Sequence, residues 1–125
     1  MRLMGLIESN GSFVVNVIKN NKYSCGYGVG INFTFRSNES DLLEYVQKLL
    51  SEIHIESSKK DNTLIIKGEE YLHMFCKHID NNGNFISIKR QEEFLMFKKI
   101  LYLYMHREHL TIEGIEKIKN IKENK

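Results

Sequence analysis

Apolar residues recur along this chain with two different periods, and the changes of period mark its elements. Residues 2–10 place Leu3, Leu6 and Ile7 at helical spacing, and Gly11 stands where such a helix would close. From Ser12 to Asn20 the period drops to two, with Phe13, Val15 and Val17 on one side. Asn20, Asn21 and Lys22 read as a turn. A second strand is predicted from Cys25 to Arg36, turning Val29, Ile31, Phe33 and Phe35 one way and Gly28, Gly30, Asn32, Thr34 and Arg36 the other. Ser40 or Asp41 opens a helix carrying Leu42, Leu43, Val46, Leu49 and Leu50. Ile53 and Ile55 predict a third strand, Lys59 to Asn62 a polar turn, and Leu64 and Ile66 a fourth strand. Glu69 to Ile79 reads as a helix with Leu72, Phe75 and Cys76 inward, and Asp80 to Gly83 as a loop. Gln91 to His106 is a long helix facing inward through Phe94, Phe97, Ile100, Leu101 and Tyr104. Thr111 caps a last helix bearing Ile112, Ile115, Ile118 and Ile121.

The predicted order is α-β-β-α-β-β-α followed by further helix. Two antiparallel hairpins with helices on one face make an α+β domain with a four-stranded antiparallel sheet. The other sheet face is left for solvent or a ligand. It would carry Ser12, Asn16, Asn32, Thr34, Arg36, His54, Glu56, Thr63 and Lys67, interrupted by Val14, Ile18 and Ile65. Asn, Arg, His and Lys on such a face bond bases or phosphates. Glu56 would repel phosphate, and the face is poor in cations for a tight clamp.

Composition narrows the field only modestly. A chain of 125 residues fits one domain, taken as 1–125 with a polar tail from Lys122 to Lys125. Hydrophobic content of 42% and charged content of 27% are those of an ordinary globular protein. A net charge of +2 permits nucleic-acid binding without arguing for it. No apolar run approaches the roughly 20 residues of a membrane span, so no membrane partner is expected. The run Leu3 to Ile7, closed by Glu8, is too short for a signal peptide. Cys25 and Cys76 belong to no CxxC pattern and read as reduced thiols. Abundant Lys, Asn and Ile point to AT-rich codons, as in a mitochondrial or other organellar genome.

Several residues admit a chemical and a plainer reading. Gly26, Gly28 and Gly30 lack the spacing of a phosphate loop and suit a strand bend or close approach by a partner. His106 and His109 sit one turn apart with no third metal ligand in view. Tyr23 and Tyr27 could stack on bases or simply pack. Gly5 and Ser9 share one helix face, where two small residues let a second helix approach closely.

The segment Leu3-Met4-Gly5-Leu6-Ile7-Glu8-Ser9-Asn10-Gly11 resembles the motif L-A-G-L-I-D-A-D-G of the homing endonucleases. Leu3, Gly5, Leu6, Ile7 and Gly11 are identical to it, and Glu8 keeps the acidic character. Far downstream, His109-Leu110-Thr111-Ile112-Glu113-Gly114-Ile115-Glu116-Lys117-Ile118 is similar to that family's H-L-T-x-E-G-L-x-K-I ending. Asp41-Leu42-Leu43 and Lys89-Arg90-Gln91-Glu92-Glu93-Phe94 resemble intermediate family segments in the family's order. The chain thus resembles a single-motif LAGLIDADG domain.

That resemblance implies a fold, a partner and a chemistry. Motif helices of two domains pack together, in a homodimer or a fused chain, or here against another macromolecule; Gly5 and Ser9 would supply that contact. The strands form a saddle laid along the DNA major groove, so Asn16, Asn32, Thr34, Arg36, His54 and Lys67 become candidate nucleic-acid contacts. The late acidic residue of the motif would hold a divalent metal that activates water. Here that position is Asn10, a neutral amide where Mg²⁺ wants anionic oxygen. Glu8 lies about 200° away around the helix and does not replace it. Lys89 or Arg90 matches the family's basic residue beside the catalytic water, and Ser37 falls where relatives carry a longer polar group. Three functions stay open. One is a nucleic-acid-binding protein of LAGLIDADG descent without cleavage or cofactor, serving double-stranded DNA or an intron or ribosomal RNA as maturase-like proteins do. The second is an active Mg²⁺-dependent homodimeric endonuclease, and the third a protein scaffold in a larger complex.

Overall fold

The computed structural model describes residues 3–19, 21–22, 26–81, 85 and 87–123, with the backbone only for Leu3, Met4, Glu8 and Ser9. Expectations that touch Arg2, Asn20, Tyr23, Cys25, Gly83 or the Ser9 side chain lie outside the described residues. The elements are α1 (Leu3–Asn10), β1 (Gly11–Lys19), β2 (Tyr27–Arg36), α2 (Ser40–Glu52), β3 (Ser58–Lys60), β4 (Thr63–Lys67), α3 (Glu69–Asn81), α4 (Ile88–Met105), a short 3-10 turn (Glu108–Leu110) and α5 (Ile112–Glu123). The strands make one antiparallel sheet in the order β1-β2-β4-β3.

Alternation in β1 and β2 is what builds the platform. Val15, Ile31, Phe33, Phe35, Leu64 and Ile66 point to the helical side and are buried there with Leu43, Val46, Leu50, Leu72, Phe75, Phe94, Phe97 and Ile100. Rings lock the layers together: Phe13 lies 5.1 Å from Phe33 and 4.9 Å from Phe97, and Phe33 lies 4.6 Å from Phe75, centroid to centroid. Tilted aromatic contacts at such distances add to the area they bury. Thr111 caps α5 as expected: its Oγ1 accepts a hydrogen bond from the Gly114 amide at 3.0 Å. Ile115 and Ile118 are buried, whereas Ile112 is left 60% exposed.

The helix α1 runs into β1 without a loop, and Gly11 makes this possible. A Cβ there would press into the Phe33 ring and the Ile7 carbonyl. The tight passage fixes Asn10 at the junction between helix and sheet.

The third strand departs from the expectation. Ile53 and Ile55 do not form it: α2 ends at Glu52, and the amides of Ile53 and Ile55 both return to the Leu50 carbonyl at 3.1 and 2.9 Å. His54 turns the chain with a left-handed φ of 65°. Ile55 is buried because it finishes the apolar side of α2, which a strand pattern imitates over so short a run. The strand begins at Ser58, so Lys59 and Lys60 belong to it, and the turn shrinks to Asp61 and Asn62. At the other end Lys122 and Glu123 belong to α5 instead of a tail.

Candidate nucleic-acid interface and the motif-helix junction

Asn10 closes α1 with its side chain exposed. Its Nδ2 donates a hydrogen bond to the carbonyl oxygen of Arg36, the last residue of β2, at 3.0 Å. The amide therefore ties the helix end to the sheet. Around it opens a cavity of about 700 Å³, lined also by Ser37, Glu39, Asp61 and Asn62. Its rim is held by hydrogen bonds between two turns: the Ser37 amide donates to the Asn62 carbonyl at 3.0 Å, and Asn62 Nδ2 donates to Asn38 Oδ1 at 3.2 Å. Ser37 Oγ accepts from the Glu39 amide at 3.0 Å, so this short hydroxyl is spent on its own loop.

This donor set does not fit a catalytic Mg²⁺. The amide of Asn10 brings no charge, and its nitrogen is committed to Arg36. Among the described residues no three His, Cys, Asp or Glu side chains gather to hold a metal ion. Glu39 and Asp61 border the cavity but belong to exposed turns.

Lys89 and Arg90 open α4, where Ser87 Oγ accepts from the Arg90 amide at 3.4 Å. The Arg90 guanidinium is partly spent on Glu93 at 3.2 Å, while Lys89 is exposed. Both line a second cavity, about 950 Å³, together with Ser12 and Val14 of β1 and with Lys99 and Lys122. The structure thus does not bring them into the Asn10 cavity; the two cavities flank the start of β1.

Register assembles the face opposite the helices into cross-strand rows. Ser12 pairs with Thr34, which pairs with Ile65 and then Ser58. Val14 pairs with Asn32, and Asn32 with Lys67. Arg36 pairs with Thr63, and Thr63 with Lys60. Asn16 stands opposite Gly30 nearer the far end. The candidate contacts Asn16, Asn32, Thr34, Arg36 and Lys67 therefore share one surface, and Lys60 and Ser58 join them. The sequence holds a signal for Lys60: reading Asp61-Asn62 as a two-residue hairpin turn sets Lys60 opposite Thr63. Arg36, Lys60 and Lys67 are exposed and none enters an ion pair among the described residues. Asn32 Oδ1 is buried with no hydrogen-bond partner among the described residues. His54 does not belong to this surface, because it stands in the turn after α2. Glu56 precedes β3 and accepts from the Tyr71 hydroxyl; burial first, then this bond, pushes the Tyr71 pKa up.

The remaining candidates are engaged inside the fold. Lys119 Nζ lies 4.1 Å over the Tyr27 ring, so that ring packs rather than waits for a base. His106 lies 4.3 Å from the Tyr102 ring and His109 stacks on Tyr104 at 4.0 Å, so the two imidazoles meet different rings. Burial, then the nearby Arg107 charge, pushes the His109 pKa down. Arg107 grips Glu69 with two hydrogen bonds of 2.9 and 3.0 Å, which hold the Glu69 carboxyl below its ordinary range. Cys76 is buried, and its thiol is pushed up to about 12 by desolvation, so it is inert. Gly5 is exposed, and a Cβ built there would meet nothing within 4 Å. A Cβ at Gly30 likewise meets nothing within 4 Å, so nothing among the described residues fills the space at either place.

Comparison with known proteins converges on this arrangement. A sequence model described as LAGLIDADG endonuclease matches residues 3–101. The probable intron-encoded endonuclease 3 of Neurospora crassa is 28% identical over 123 residues, covering 94% of this chain but 23% of that protein. The LAGLIDADG homing endonuclease I-SmaMI, solved bound to cleaved DNA, superposes with a TM-score of 0.84 at 30% identity, over 98% of this chain and 42% of its own. The homing endonuclease I-TnaI gives a TM-score of 0.82 at 25% identity, over 97% of this chain and 85% of its own. Since the matched residues run from the motif helix through most of α4 and the fold agrees throughout, the chain belongs to the LAGLIDADG endonuclease family.

Proposed function

We propose that this chain is a nucleic-acid-binding module of LAGLIDADG descent that reads duplex DNA with its open sheet face and does not cleave it. The observation that carries the loss of cleavage is the hydrogen bond from Asn10 Nδ2 to the Arg36 carbonyl. A carboxylate in the same place would face that carbonyl with like partial charge, so the position is built for an amide. Duplex DNA is favoured over RNA because Asn32, Arg36, Lys60 and Lys67 lie on a two-hairpin surface that suits a major groove, and because I-SmaMI was solved on DNA. The family resemblance implies motif helices that work in pairs, and residues 1–125 carry one. A second copy, or another domain, would supply the other against the face that carries the exposed Gly5. The organellar assignment rests on the Lys-, Asn- and Ile-rich composition and is read directly from which genome holds the gene.

The test begins by selecting ligands from random duplex DNA and from random RNA. Enrichment of duplex with no cutting in Mg²⁺ is the expected result. Site-specific double-strand cleavage by the unaltered chain sinks the proposal, and enrichment of RNA alone transfers the surface to the RNA reading. Asn10→Asp should lower stability by about 0.5–1 kcal/mol, through the lost hydrogen bond at this exposed position. It should also raise Mn²⁺ binding, read calorimetrically.

A further inference from the structure

The outer side of α4 carries a pattern that neither the sheet face nor the motif helix explains. An 18-residue helix that buries Phe94, Phe97, Ile100 and Leu101 should be polar on its opposite side. Instead Ile88, Leu95 and Tyr102 follow one another at heptad steps and are 78%, 45% and 62% exposed. Residues so spaced drift only about 20° per step around a helix, so the three form one stripe. Glu92 and Lys99 sit on the same stripe, one turn after Ile88 and Leu95, and both are exposed. Neither makes an ion pair among the described residues, whereas their neighbours Arg90 and Lys98 pair with Glu93 and Asp80. Beside the stripe, Tyr102 and Lys99 border an apolar depression of about 640 Å³ floored by Leu103 and Ile121.

We infer that this stripe is a self-docking surface on which a second copy of the chain packs its own α4 antiparallel. The order along the helix is apolar, acidic, apolar, basic, apolar. Turned about a two-fold axis through Leu95, the order complements itself. Leu95 meets Leu95, Ile88 meets Tyr102 of the second copy, and Glu92 of each copy lies beside Lys99 of the other. A parallel arrangement would set Glu92 on Glu92 and Lys99 on Lys99, which repel. The apolar side chains and Glu92 give this stripe no surplus of positive charge to draw a nucleic acid. Self-complementarity under a two-fold is the signature of an isologous contact. This surface is separate from the Gly5 face, so a chain using both would build a closed or extended array from pairs.

The experiment isolates the second contact in the full-length chain with Gly5→Leu, at a position where an added Cβ meets no described atom within 4 Å. Sedimentation of that variant over micromolar to submillimolar concentration should still show a monomer–dimer equilibrium. Leu95→Glu, Glu92→Lys and Lys99→Glu should each weaken it at least about tenfold, through like charges brought together. The double variant Glu92→Lys with Lys99→Glu should restore dimerisation, because each copy then offers the reversed pair to the other. Thermal unfolding checks that every variant keeps the fold. A Gly5→Leu protein that stays monomeric throughout overturns the inference. So does a charge swap that fails to rescue, or a set of single variants that dimerise like the parent.

Discussion

The β1–β2 hairpin and the β3–β4 hairpin share one sheet but are made of different material. In the first, Gly11–Lys19 pairs with Tyr27–Phe35 along its full length, and alternate residues of both strands enter the core. In the second, Ser58–Lys60 has every residue exposed and pairs with only the start of Thr63–Lys67. The first hairpin carries stability, because its inward side chains hold α3 and α4 through Phe13 and Phe33. The second carries charge, because Lys60 and Lys67 come from it and join Arg36 on the open face. A sheet edge with no buried side is free to vary in side chain, and a reading surface needs that freedom. Exposed lysines at the edge also discourage unwanted strand addition there.

The largest expected effect tests the structural half of this contrast. Phe33→Ala removes a ring buried between Phe13 and Phe75 and should cost about 3–5 kcal/mol. Ser58→Ala in the edge strand should change stability by no more than about 0.5 kcal/mol. Urea midpoints of the two variants decide the matter. Comparable losses would mean that the short hairpin braces the fold as much as the long one.

The same contrast explains what the sequence disclosed. Strands with one buried side announce themselves by alternation, so β1, β2 and β4 were legible, as were the helices with apolar stripes. The strand β3 has no buried side and no alternation to find, and the buried pair Ile53 and Ile55 imitated it a few residues early. His54 was drawn onto the face by that error, and Lys60 was kept off it. Motif spelling located Asn10 without revealing its partner, because a bond to the Arg36 carbonyl depends on how α1 meets the end of β2. Lys89 and Arg90 were close to Asn10 only by family analogy; the fold puts β1 between their cavities.

A moderate effect is expected on binding, and it sharpens the functional half of the contrast. If the open face takes duplex DNA, each of Arg36, Lys60 and Lys67 that meets a phosphate adds about 0.7–0.9 to the slope of log affinity against log salt. Replacing Lys60 and Lys67 with Ala should flatten that slope by nearly twice this amount and leave stability almost unchanged. Replacing Lys117 and Lys119 on α5 should alter the slope much less. The reverse ranking would move the nucleic acid to the helical side and leave the second hairpin without a role. An unaltered slope in both variants would remove nucleic acid from the proposal and favour a protein scaffold.

The smallest effect is expected where the second hairpin leaves the sheet, and it depends on pH. Gly68 turns the chain with a φ of 98°, and Glu69 then meets Arg107 across the fold. Two groups here have lowered proton affinities, so each loses its contribution to stability as pH falls. Desolvation and Arg107 lower the pKa of His109, so as pH falls the unfolded chain takes up this proton first. Its contribution is whole above the ordinary histidine value of about 6.5 and is lost as pH falls through the lower folded value. Glu69, whose pKa Arg107 lowers, contributes above the ordinary glutamate value of about 4.3, and that contribution fades in more acid solution. The losses therefore come in sequence, histidine first. His109→Phe keeps a ring on Tyr104 and should abolish the fall in urea midpoint between roughly pH 7 and 5.5, given the ordinary value above. Glu69→Gln should leave that part intact and flatten the curve only below about pH 4.5. A His109→Phe curve that still falls near pH 6 would take the effect away from His109. The exit of the second hairpin would then hold no proton-sensitive contact besides the Glu69–Arg107 pair, and the charge this hairpin carries would matter to its ligand alone.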